Sequence, residues 1–262
     1  MTNKEKQDYL FKWNKFQQRY EKYFEKKFVK ALDIQVNAFI KTQDIMAIPS
    51  FPIYTTLLQL YKTVGPLWAK VVKVDGIKAD GRMGFNEEII ALMQEYYGID
   101  LLNDAEDIST YTREIIQKTL IQAASEGWSI ADVVRKIKNN PELGPMRARR
   151  IARTETVTAA NGAAMIYAKK SGYQMDKIWL SIQDKRTRHN QWANHYTIDG
   201  LTVPYEEPFK LESKKLGDIY MQQPGVRTQE NGLPVPASEV VNCRCTVAFK
   251  AKRDNQGRII KR

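Results

Sequence analysis

Over 7–41 the apolar side chains Leu10, Phe11, Trp13, Phe16, Tyr20, Tyr23, Phe24, Phe28, Ala31, Leu32, Ile34, Val36 and Phe39 recur at three- and four-residue steps, with Lys and Glu between them. A period near that of the α-helix gathers such a series on one side, so the spacing predicts one long amphipathic helix. Its aromatic members are expected to form a core or oligomer stripe in preference to a base-stacking platform. Ile48-Pro49-Ser50-Phe51-Pro52 should stop the helix, because proline has no N–H to donate and disfavours helix in the residue before it. Further helical patterns cover about 53–74, 85–97, 107–126 and 129–139, separated by Asp75-Gly76, Asp80-Gly81 and Gly98-Ile99-Asp100. Ser129 followed by Asp132 resembles a capping start for the last of these.

After Pro141-Glu142-Leu143-Gly144-Pro145, residues 146–171 are rich in Ala, Arg and Thr, contain no proline and end at Gly172, which predicts one helix with a glycine cap. The texture then changes. Residues 177–182 alternate like a strand, and 239–250, rich in Val, Thr and Phe, give a second strand. Between them Pro204, Pro208, Pro224, Pro234 and Pro236 with Gly200, Gly217, Gly225 and Gly232 predict long ordered loops. The charged stretch 250–262 reads as a mobile tail. The expected fold class is α+β: a mainly helical N-terminal region over 1–145, then over 146–262 a small α+β domain with a long helix, a short β-sheet and extended loops.

At 262 residues, with 43% hydrophobic and 27% charged, the chain has the profile of a globular protein. Charged residues interrupt the apolar positions at its start, so neither a secretory signal nor a membrane span is expected there, and cytosolic synthesis without a membrane role follows. The 41 Lys and Arg against 30 Asp and Glu give a formal charge of +11, which favours contact with a polyanion. Lys136, Lys138, Arg147, Arg149, Arg150 and Arg153 form the densest basic run. With tail residues such as Lys252 and Arg253 they could track duplex DNA without reading bases. Arg147, Arg149, Arg150, Lys252 and Arg253 are the candidates, and a solvated basic face is the alternative.

Four islands stand in order in the second half: Arg150-Ile151-Ala152-Arg153-Thr154-Glu155-Thr156; Trp179 through Asp184-Lys185-Arg186-Thr187-Arg188; His195 through Asp199-Gly200; and Ala237 through Asn242-Cys243-Arg244-Cys245. Together, over about 145–250, this series resembles the phage Mu F-like head morphogenesis family. On that resemblance Arg153, Glu155, Asp184, Arg186, Thr187, Arg188, His195, Asp199, Gly200, Asn242, Cys243, Arg244 and Cys245 are the motif residues. Two departures stand out. The family usually sets its histidine nearer to the Arg-Thr-Arg than His195 lies to Arg188, so His189 competes, although Asp199-Gly200 follows His195 in register. Val226 also follows Pro224-Gly225 where the family often has Asp.

The resemblance implies a minor structural protein of a tailed-phage head, present in few copies, made in the host cytoplasm and carried in the virion. Its implied partners are the portal protein and major capsid or scaffold proteins, and its role would be in procapsid assembly or the handling and ejection of packaged DNA. It implies no catalytic residues. The helical first half would be the variable part that docks to portal or capsid.

Read for chemistry alone, Cys243 and Cys245 are too close in sequence for an unstrained disulfide. On a strand both thiols would share one face, with His195 as third ligand to a metal, zinc being the natural candidate. A fourth ligand and the Cys-x-x-Cys spacing are missing, so packing as small apolar side chains is the other reading. Asp184 with Arg186 and Arg188 suits either a loop clamp or a phosphate site. Arg153 and Glu155 could pair to brace the same loop. The alternative function is a metal-dependent nuclease or nucleotide-modifying enzyme that uses His195 with nearby carboxylates.

Overall fold

A computed structural model describes residues 1–72 and 85–262, so the expected breaks at Asp75-Gly76 and Asp80-Gly81 lie outside the described residues. The first helix, α1, spans Asn3–Thr42. Thr2 caps it, its hydroxyl accepting from Glu5 N–H while its own N–H donates to the Glu5 carboxylate at 2.6 Å. Trp13, Phe24, Phe28, Leu32 and Phe39 are buried along one face, and Tyr23 lies outside it, half exposed. The helix ends with Gln43 in a left-handed conformation (φ 57), ahead of the prolines. Pro52 falls instead in the first turn of α2 (Phe51–Val71), where its missing N–H has no partner to lose.

The predicted break at Gly98 is absent: α3 runs unbroken over Phe85–Glu126. Buried residues on both sides, Ile89 and Met93 before the glycine and Leu101, Ala105, Ser109, Thr112 and Ile116 after it, with half-buried Tyr97 packed on α5 between them, hold the helix and outweigh a propensity loss of about 1 kcal/mol. The short α4 (Ile130–Lys138) starts with the Ser129–Asp132 capping box read from the sequence.

The central element is α5 (Pro145–Lys170), onto which α1 and α2 both pack. Its Ala148, Ala152, Ala159, Ala160, Ala163 and Ala164 are all buried, and small side chains there let neighbouring helices approach closely. At Gly162 only a glycine fits, since a Cβ would stand 2.2 Å from the Tyr97 hydroxyl of α3.

Strand β1 (Met175–Leu180) forms the middle of an antiparallel sheet, with β2 (Thr202–Pro204) on one side and β5 (Thr246–Ala251) on the other, pairing Ile178 with Thr202 and Ala248. A separate hairpin joins β3 (Phe209–Ser213) to β4 (Gly217–Met221). Buried Lys177 of β1 reaches it, donating to the Gln222 carbonyl at 2.9 Å with its ammonium 5.1 Å from the Phe209 ring centre. Burial pushes this lysine down to about 8.

Two further expectations are corrected. Residues 237–240 form a one-turn helix, α6 (Ala237–Val240), so the second strand starts only at Thr246 and both cysteines precede it. The charged C-terminal stretch is tied down, with Gln174 N–H donating to Ile260 O at 2.9 Å and Arg262 N–H to Gly172 O at 2.8 Å. The core is continuous across residue 145, Trp13 and Trp68 sharing it with Trp179 and Val247. No helix among the described residues is long and apolar enough to cross a membrane.

Candidate functional site

The four islands meet where α1, α5, the loop after β1 and the α6–β5 turn converge. Asp184 organises the loop. Its carboxylate accepts Arg186 N–H at 2.9 Å and the Arg244 guanidinium at 2.7 Å, and its backbone N–H donates to Thr187 Oγ1 at 3.2 Å. The Arg244 hydrogen bonds, more than the backbone contact, hold the Asp184 carboxyl well below the usual carboxylate range. Arg186 is mainly exposed, its guanidinium 3.6 Å from Asp184, and Arg188 donates to the Val241 carbonyl.

Arg153 and Glu155, two residues apart on α5, point away from one another and do not pair, a correction to the expected brace. Arg153 grips Glu21 of α1 through two hydrogen bonds of 3.0 and 2.6 Å, and reaches Asn242 Oδ1 at 3.2 Å. Glu155 accepts from Arg227 at 2.7 Å and from the buried Tyr61 hydroxyl at 3.0 Å. Asn242 adopts a left-handed conformation (φ 62), which asparagine tolerates better than most residues, and its N–H donates to Thr154 Oγ1 at 3.0 Å. Asp199 accepts Ser181 N–H at 2.9 Å and the Lys6 ammonium at 2.5 Å. Gly200, at φ 88, turns the chain so that its N–H donates to Trp179 O at 2.8 Å.

Under this layer lies His195, 1% exposed. Its Nε2 is 2.6 Å from Glu239 Oε2, and its Nδ1 is 3.5 Å from both Cys243 Sγ and Cys245 Sγ. The three ligand-type atoms lie within 4.8 Å of one another, the single group of this kind among the described residues. Burial works to lower the His195 pKa, but the facing Cys243 sulfur and the Glu239 carboxylate carry it above its ordinary value. Cys243 is held well below its ordinary value, first by a hydrogen bond from Cys245, whereas burial pushes Cys245 well up. His189 lies apart on the loop, its ring against Tyr196.

The basic candidates do not form one surface. Arg147 is buried: it donates to Thr112 Oγ1 at 2.9 Å and to Ile108 O at 2.5 Å, and burial lowers it to about 10, so it is withdrawn from any phosphate-facing role. Arg149 and Arg150 pair with Glu25 and Glu142. Lys252 pairs with Asp176 at 3.2 Å, and Arg253 donates to Gly257 O at 2.7 Å.

Sequence reasoning missed Glu239, Arg227 and Glu21, whose partners lie far away in the chain, and above all Asn161. This side chain is wholly buried in the middle of α5. Its amide donates to Pro224 O and Cys245 O, both at 3.1 Å, and its oxygen accepts Thr246 Oγ1 at 2.9 Å and Val247 N–H at 3.1 Å. An asparagine inside an alanine-rich helix, where its propensity is poor, was the available signal.

The chain matches the family model for Phage Mu protein F like protein over residues 114–248, which begins earlier than the motif islands and takes in the end of α3 and all of α4. It is 26% identical over 144 residues to the uncharacterized protein YqbB of Bacillus subtilis, covering 55% of this chain and 44% of that protein. It is 31% identical over 155 residues to the NAD(+)–arginine ADP-ribosyltransferase EFV of Enterococcus faecalis, covering 55% of this chain and 28% of that protein. The chain thus spans less than half the length of either curated relative, and no solved structure matches it. With more than half of its residues inside the family model, and the ordered islands folded into one hub, the chain belongs to the phage Mu protein F-like family.

Proposed function

We propose that this protein is a minor structural component of a tailed-phage head that sits at the portal and acts in procapsid assembly. At family level it is a phage head morphogenesis protein. The observation that carries the finer reading is how the motif residues are used. Arg153, Glu155, Asp184, His195, Asp199 and Asn242 all tie one element to another, as a rigid adaptor requires, while exposed apolar side chains such as Tyr96, Ile99 and Ile130 on α3 and α4 supply contact surface for portal, capsid or scaffold proteins. The charge of +11 favours non-specific contact with packaged duplex DNA.

An enzyme built around His195 would need a path for substrate to a ring that is 1% exposed, which weighs against the nuclease or transferase reading. The ADP-ribosyltransferase name belongs to a protein of which this chain spans 28%. Quantitative proteomics of heads assembled with and without the portal protein tests the proposal. Low-copy incorporation that disappears without portal is expected; equal incorporation in both particles, or none in either, overturns the portal assignment.

A further inference from the structure

We propose that His195 Nδ1, Cys243 Sγ and Cys245 Sγ form a buried three-ligand site for a thiophilic d10 cation, with zinc as the ion to test. Both sulfurs stand 3.5 Å from one ring nitrogen. That nitrogen has one in-plane site and can bond only one of the two equally close sulfurs at a time. A single ion satisfies all three donors. With Zn–S near 2.3 Å and Zn–N near 2.0–2.1 Å in tetrahedral geometry, nitrogen and sulfur ligands stand about 3.5 Å apart, which both nitrogen–sulfur distances match.

The surroundings prepare the donors. Glu239 Oε2, 2.6 Å from His195 Nε2, holds the ring with Nε2 protonated and the Nδ1 lone pair turned toward the thiols, the carboxylate–histidine support that metal-bound imidazoles use. Cys245 N–H points at Cys243 Sγ at 3.4 Å, a contact that favours the thiolate. Ser181 Oγ, which donates to His195 O at 2.6 Å and stands 3.4 Å from Cys245 Sγ, borders the cluster and braces the loop that carries the histidine. Two thiolates with an imidazole select soft and borderline ions over Mg²⁺ or Ca²⁺. All three ligands are buried, so the ion would be structural, fastening the loop that carries His195 to the α6–β5 turn; this holds wherever in the head the protein acts.

The full chain, purified under reducing conditions without added metal, is assayed for zinc by mass spectrometry, then stripped with a chelator and titrated with Co²⁺. About one ion per chain and an intense near-ultraviolet thiolate-to-cobalt band are expected, with a higher unfolding temperature on zinc return. Cys243→Ser and Cys245→Ser should each abolish the band. Because both cysteines are buried and their loss can unfold the chain, Glu239→Gln serves as a second probe: it keeps the shape of the support and should weaken zinc affinity about 10–100-fold. A folded wild-type chain that holds less than about a tenth of an ion, gives no cobalt–thiolate band and shows no thermal response to zinc overturns the site and leaves a hydrogen-bonded thiol pair.

Discussion

Replacing Asn161 with alanine removes four hydrogen bonds from one fully buried side chain, those to Pro224 O, Cys245 O, Thr246 Oγ1 and Val247 N. Val247 N–H and the Thr246 hydroxyl would lose their acceptor inside the core, and a buried donor without an acceptor costs about 1–3 kcal/mol. Thr246 can rotate its hydroxyl, so it counts at the low end; the two carbonyls lose about 0.5–1.5 kcal/mol each. Alanine returns about 0.6 kcal/mol through its better helix propensity. The net loss is about 4 kcal/mol, which for a chain of this size lowers Tm by about 8–16 °C.

Urea unfolding followed by tryptophan fluorescence reads this directly. A loss below about 1 kcal/mol would refute the reasoning, because it would mean that the bonds between α5 and the Cys245–β5 segment are replaced by others as good. Asn161→Asp is the sharper companion. It keeps the shape and the acceptor oxygen but aims a second oxygen at two carbonyls, and burial raises the new carboxyl's pKa above its unfolded value. The folded state then holds its proton more tightly, so this variant should be least stable at neutral pH and recover as pH falls through the raised value.

Gly225 has φ 89 and packs on α5, where a Cβ would stand 3.0 Å from Thr158 Cα, so Gly225→Ala should destabilise by about 2 kcal/mol or more in the same urea assay. Gly98→Ala should act oppositely: nothing lies within 4 Å of the added Cβ inside α3, and a gain of about 0.5–1 kcal/mol is expected, with no gain meaning that the helix is interrupted there. Asp184 is held below the usual carboxylate range by Arg244, so its contribution to stability is present above the unfolded-state value and lost as pH falls below about 4. Asp184→Asn should therefore lower the wild-type advantage at neutral pH and flatten the acid limb of a stability–pH profile; an unchanged acid limb would place the loss on other carboxylates.

Helices α1, α2, α4 and α5 and strand β1 were legible because each depends on patterns within a few residues: apolar period, caps and proline position. The island residues were legible as a set, but their partners were not. Arg153 finds Glu21 of α1 and Glu155 finds Arg227 of the loops, pairings across 132 and 72 residues that no local spacing encodes. The false break at Gly98 has the converse cause, since a buried row on both sides of the glycine overrode a local signal. The hairpin β3–β4 hid among punctuation residues, although Phe209, Leu211 and Ser213 alternate buried with exposed Lys210 and Glu212 as a strand should.

The position of α1 explains why these motif residues cannot be treated as a site separate from the helical half. Trp13 Nε1 donates to Arg244 O at 2.8 Å and Tyr9 to Val247 O at 2.8 Å, so this helix closes over the segment that carries both cysteines. Lys6 and Glu21 of the same helix hold Asp199 and Arg153, two motif residues on opposite sides of His195 in the sequence. A movement of α1 imposed by a partner would thus strain the His195–Cys243–Cys245 cluster through four contacts at once. Conversely, anything that fixes that cluster holds α1 in place through the same four contacts, as the adaptor role proposed above would require.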